Sequence, residues 1–144
     1  MTNPIWFKPV DLDALNALHA DDINGHLGIK ITGAGPDWLK GTMPADRRTT
    51  QPMGIVHGGA SVVLAETLAS AAANLVVDPA RQFCVGQEVN ANHVRSVRAG
   101  LVTGTARPFH LGRTSQIWGI ELVNDDGELT CVARLTIAVV TRRP

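Results

Sequence analysis

The sequence predicts an α+β fold in which a six-stranded, mostly antiparallel sheet wraps around one long central helix. Two observations carry this expectation. Residues 58–77 form an alanine-rich run with no Pro and no Gly beyond Gly59, apolar on nearly every side and stopped by Asp78-Pro79. At about 1.5 Å per residue such a helix is roughly 30 Å long, and in a soluble chain an all-round apolar helix has to be covered. Four extended segments rich in β-branched residues then follow, joined by short turns that suit antiparallel neighbours. A sheet curled about a single helix hides the rod, and a chain of 144 residues with 44 % apolar content can build that core as one domain over residues 1–144.

Asp11 or Asp13 can cap a short amphipathic helix on which Leu12, Leu15 and Leu18 recur, and which is expected to end before Gly25. The stretch "LGIKITGAGPDWLKGTMP" offers two extended runs around a Gly-Pro-Asp turn, the pattern of a hairpin. A polar connection, "DRRTTQPMGIV", leads into the long helix. The later strands are expected at about 82–95, 99–107, 113–123 and 128–139, with turns at "RAG", "FHLG" and "NDDG".

Lys plus Arg and Asp plus Glu stand at thirteen each, which gives no net basic field for nucleic acid. The N-terminus lacks the pattern of a signal peptide, and no membrane span is expected. Cys84 and Cys131 have no CxxC spacing, so neither a zinc site nor a disulfide framework is indicated, and a cytoplasmic setting fits. Trp6, Trp38 and Trp118 read as core or interface residues, and His19, His26 and His110 have no metal spacing.

The long helix carries one carboxylate, Glu66. An ionised carboxylate in apolar surroundings must be paired, protonated or open to a cleft. Ser70 and Asn74 follow at i+4 and i+8 and share its face, a polar stripe that either lines a cleft or bonds back to the helix. At the helix start, Gly58 and Gly59 allow close backbone approach and present N–H groups where the dipole favours negative charge. Eight residues separate Gly58 from Glu66, about 12 Å along a helix, whereas reacting atoms approach to roughly 3–3.5 Å. If both act on one carbonyl, a two-fold dimer with antiparallel helices is required.

The segments "RTTQPMGIVHGGASVVLAETLASAAA", "VGQEVNANHVRSVRAG" and "RPFHLGRTSQIW" closely resemble the hotdog-fold acyl-CoA thioesterases of the phenylacetate-degradation and second 4-hydroxybenzoyl-CoA thioesterase type. Within that family the chain is most similar to the 1,4-dihydroxy-2-naphthoyl-CoA hydrolases of menaquinone synthesis and to their paralogues that clear misloaded aryl carrier proteins. The resemblance implies that Glu66 attacks the thioester or activates water, and that the Gly58 N–H polarises the carbonyl. It implies that Gln51 contacts the same region, that Ser70 supplies a hydroxyl one turn beyond the acid, and that His57 contributes secondarily. His93, Arg95 and Ser96 would lie near the CoA arm or nucleotide. Arg98, Arg107 and Arg113 are further phosphate candidates, given the bidentate geometry of arginine. The resemblance also implies an acyl-CoA or carrier-protein substrate and a homo-oligomer, a dimer at least and a dimer of dimers by family pattern. Hydrolysis would need no metal or bound cofactor, CoA being part of the substrate. A non-catalytic acyl-CoA sensor is the rival from another class.

Overall fold

A computed structural model describes residues 2–143. In chain order the elements are α1 (Leu12–Leu18), α2 (Ile23–Leu27), β1 (Lys30–Ala34), β2 (Leu39–Pro44), α3 (Gly58–Val76), β3 (Gln82–His93), β4 (Leu101–Leu111), β5 (Ser115–Val123) and β6 (Leu129–Thr141). The strands form one sheet in the order β1-β2-β4-β5-β6-β3, and every neighbouring pair is antiparallel. This is the wrapped-helix architecture expected, a hotdog fold.

α3 is the axis of the core. Leu64, Ala65, Leu68, Ala69, Ala72 and Ala73 are fully buried against the concave face of the sheet, together with Trp118, Leu122, Leu135 and Ile137. Burying each large aliphatic side chain contributes about 1.5–3 kcal/mol. The alanines let the sheet close on the helix. Where leucine intervenes the strands give way instead: a Cβ on Gly41 would come 2.8 Å from Leu68 Cδ2, and one on Gly104 would come 2.7 Å from Leu68 Cδ1. α3 is long and apolar enough to match a membrane span, with a mean hydropathy of 1.4, but half of that stretch is buried inside the molecule and it is the core helix.

Several boundaries differ from the sequence reading for local reasons. The first helix ends at Leu18, and a second, α2, begins after Asp22, whose carboxylate accepts the Asn24 N–H at 2.8 Å. Gly25 therefore lies inside a helix. It is glycine because the chain passes so close to the Ala20 carbonyl that a Cβ has no room. β4 continues through Phe109 and His110 to Leu111, and the turn falls at 112–114. The register shifts between Pro108, opposite Trp118, and His110, opposite Ile117, so Phe109 is an inserted residue directly after a proline that cannot donate to the ladder.

β3 is an edge strand twelve residues long, paired on one side by β6. Its register steps between Gly86, opposite Ile137, and Glu88, opposite Thr136, so Gln87 is an inserted residue. One inserted residue flips the inward parity of a strand. Gly86 and His93, an odd number of positions apart, consequently both face α3, Gly86 at Glu66 and His93 at Gly58.

Candidate active site

The N-terminus of α3 is built by His57. Its backbone is extended (φ −64°, ψ 132°), and its Nδ1 accepts the Gly59 N–H at 2.8 Å. A neutral imidazole in that arrangement carries its proton on Nε2. The Ala60 and Ser61 N–H groups donate to the His57 carbonyl at 2.9 and 3.2 Å. Of the donors that a helix start leaves open, the Gly58 N–H thus lacks an acceptor among the described residues. The histidine itself is exposed and caps the helix, so the structure gives it a part in shaping the donor.

The loop before α3 is tied into a tight turn. Gln51 N–H donates to Ile55 O at 2.9 Å, Gly54 N–H donates to Gln51 O at 2.8 Å, and Gly54 takes the left-handed conformation with φ +74°. Gln51 Oε1 accepts the Met53 N–H, which leaves its amide NH2 to donate outward. Arg98 Nη1 donates to Met53 O at 3.0 Å, so this arginine braces the loop.

Gln51, Gly58, His93, Arg95 and Ser96 line one groove of about 350 Å³. The fold brings together five of the residues named from the sequence, across a separation of more than forty positions. The His93 ring covers Gly58 so closely that a Cβ on the glycine would sit 2.7 Å from Nε2. Arg95 pairs with Glu128 at 3.5 Å, both side chains about half exposed.

Glu66 and Ser70 open into a different groove, of about 500 Å³, walled by Leu15, Leu18 and Ile23 from the outer helices and by Val63 and Leu75. Glu66 is partly exposed and makes no ion pair or hydrogen bond among the described residues. The third member of the polar stripe, Asn74, borders the same groove but is committed elsewhere. Its Oδ1 accepts the Cys84 N–H at 2.8 Å, and its Nδ2 donates to Cys84 O at 3.1 Å and to Ser70 O at 2.9 Å. Asn74 is a clamp between α3 and β3.

Two arginines lie away from both grooves. Arg113 occupies the β4–β5 turn, next to residues that pair with Val139 and Ala138 and hence at the end of the sheet opposite His93. Arg107 faces a concavity of about 480 Å³ on the outer side of the sheet and pairs with Asp37 at 2.9 Å.

A sequence profile described as the Thioesterase superfamily matches residues 53–131, more than half of the chain and the span that holds Gly58, Glu66 and His93. The chain belongs to the thioesterase superfamily. Its relatives cover nearly all of it: the 1,4-dihydroxy-2-naphthoyl-CoA hydrolase of Escherichia coli is 48 % identical over 136 residues, 94 % of this chain and 99 % of that protein. A proofreading thioesterase from Cronobacter turicensis is 46 % identical over 136 residues, 94 % of this chain and 98 % of its own length. Among solved structures, a mutant thioesterase from Pseudomonas aeruginosa superposes with a TM-score of 0.95 at 50 % identity, covering 96 % of this chain and 99 % of that one. This thioesterase therefore has a hotdog fold whose long helix exposes an open backbone donor and an unpaired carboxylate to separate grooves.

One contributor escaped the sequence reading. A Cβ at Gly86 would come 2.6 Å from Glu66 Oε1. A glycine inside a strand pattern is a known sign of close approach, but nothing in the sequence says which group approaches.

Proposed function

We propose that this thioesterase hydrolyses acyl-CoA thioesters, with aryl-CoA such as 1,4-dihydroxy-2-naphthoyl-CoA or benzoyl-CoA as its substrate class, at sites shared between two subunits. The observation that carries the reading is the placement of the Gly58 N–H and the Glu66 carboxylate in different grooves, about 12 Å apart on one helix. Neither groove holds both groups that the reaction needs.

β3 supports a way to unite them. A long edge strand is a template for pairing, and a two-fold joint along β3 lays the α3 helices of two subunits antiparallel. Gly58 of one subunit then faces Glu66 of its partner. The thioester oxygen accepts from the Gly58 N–H and the Gln51 amide, donors worth about two to three powers of ten in rate when preorganised. With Glu66 as general base, water loses a proton to the carboxylate as its oxygen bonds to the carbonyl carbon. The C–S bond then breaks, and the sulfur leaves as CoA thiolate and is protonated. With Glu66 as nucleophile, its oxygen displaces the thiolate to give a mixed anhydride, which water hydrolyses. Both routes use the same residues, with Ser70 placed to hold the water. No bound cofactor takes part.

His93, Arg95 and Ser96, beside the donor groove, are the residues proposed for the CoA arm, with Arg113 of the partner as a further phosphate contact. A second reading, hydrolysis of aryl groups from a carrier protein's phosphopantetheine arm, is favoured by the 46 % identity to the proofreading thioesterase. A turnover panel of 1,4-dihydroxy-2-naphthoyl-CoA, benzoyl-CoA, palmitoyl-CoA and a benzoyl-loaded aryl carrier protein tests both. The aryl-CoA thioesters are expected to exceed palmitoyl-CoA in kcat/KM by at least tenfold. Preference for palmitoyl-CoA would overturn the aryl assignment, and preference for the loaded carrier protein would put the second reading first.

A further inference from the structure

We propose that Gly86 is a positioning residue for the Glu66 carboxylate: its missing side chain is the space in which Oε1 rests. This rests on the reading that Glu66 acts in hydrolysis. Glycine in the middle of a strand is unfavourable, since it packs nothing and loses the most backbone freedom on folding. The usual compensation is a positive φ, and Gly28, Gly54, Gly100 and Gly127 have one, whereas Gly86 does not. Any residue can adopt its backbone. What requires glycine here is the volume above its Cα.

A Cβ at position 86 would lie 2.6 Å from Glu66 Oε1, 3.7 Å from its carboxyl carbon, and 3.4 Å from Cδ1 of Leu135. Leu135 is fully buried in β6, so the added methyl has a fixed wall on one side and the carboxylate on the other. The carboxylate is the tip of a flexible side chain, and it moves. An ordinary contact distance of about 3.4 Å or more requires a shift approaching 1 Å, enough for a misplaced reacting group to lose on the order of 100-fold in rate. The fold itself loses little, because neither backbone nor core is displaced. The inserted residue Gln87 fits the same purpose: with it, one strand turns Gly86 toward Glu66 and His93 toward Gly58.

Low turnover with preserved stability separates positioning from a merely structural role. With benzoyl-CoA as substrate, Gly86→Ala is expected to lower kcat by about 10- to 100-fold, to leave KM within about twofold, and to leave the melting temperature and oligomeric state unchanged. In a Glu66→Asp background the carboxylate is one methylene shorter and clear of the new methyl, so there the same substitution should lower kcat less than threefold. Wild-type kcat in Gly86→Ala, or an equal loss in both backgrounds, overturns the proposal. If Gly86→Ala fails to fold while Gly86→Ala combined with Glu66→Asp folds, the contact with the carboxylate is upheld; failure of both places the fault in the strand and overturns it. Glu66→Gln assayed alongside separates the two levels. Full turnover in that variant removes Glu66 from the reaction, whereas an inactive Glu66→Gln beside an unimpaired Gly86→Ala removes only the positioning role.

Discussion

The imidazole of His93 lies over Gly58 at the start of α3, so close that a methyl on the glycine would come 2.7 Å from Nε2. The chain runs through the whole core helix and along β3 before it returns to Gly58, whose N–H has no acceptor among the described residues. Gly58→Ala keeps the backbone N–H but should push aside the ring that bounds the groove in which the thioester oxygen is proposed to sit, lowering kcat/KM by up to about 100-fold, the scale of a displacement of about 1 Å at a reacting site. Steady-state assays of Gly58→Ala, His93→Ala and the double variant check this. The double variant should lose less than the product of the single losses, since the ring that the new methyl would displace is already gone.

Glu66 has no ion pair or hydrogen-bond partner among the described residues, so its carboxylate contributes little to folding. Glu66→Gln should abolish hydrolysis, by about three powers of ten or more, while changing stability by no more than about 0.5 kcal/mol. Parallel turnover and urea-denaturation measurements check the pair of outcomes. Turnover at the wild-type rate contradicts the assignment.

The fold and the members of the site were legible in the sequence to different depths. α3 announced itself because helix propensity, apolar composition and the Asp-Pro stop agree over nineteen residues. Glu66 and Gly58 stood out because each breaks that pattern. The partners they meet did not stand out, because contacts such as Gly86 with Glu66 depend on which face of β3 turns inward. One inserted residue, Gln87, decides that, and period-two reading has no means of seeing it. Asn74 was legible as far as its helix goes: it borders the groove with Glu66 and Ser70 and bonds back to Ser70 O, but the Cys84 backbone it also clamps lies on another element, which helical spacing has no means of naming.

That clamp is itself testable. Asn74 satisfies both backbone groups of Cys84 and so ties α3 to β3 through its side chain. Asn74→Ala should destabilise the protein by about 1–3 kcal/mol, the cost of leaving such groups without partners. Chemical denaturation measures the loss, and hydrogen exchange should show the Cys84 amide losing protection before those of β5.

Burial pushes the Cys84 thiol up to about 11 from an ordinary value of 9.0. The native state keeps its proton between those limits while the unfolded chain gives it up. Over that window the unfolded state binds fewer protons, and stability falls as pH rises. Denaturation midpoints measured from about pH 8 to 10.5 should decline in the wild type and decline less steeply in Cys84→Ala. The thiol should also resist iodoacetamide at about pH 8 until the protein is unfolded.

The central claim is that each α3 serves two active sites, giving its backbone donor to one and its carboxylate to the other. Glu66→Ala and Gln51→Ala chains are each expected to be inactive alone. When the two are unfolded together and refolded, half of the mixed dimers' sites combine an intact Gln51 groove with an intact Glu66. Isolated heterodimers should therefore recover close to half of the wild-type kcat. Heterodimers that form and remain inactive would contradict the shared site.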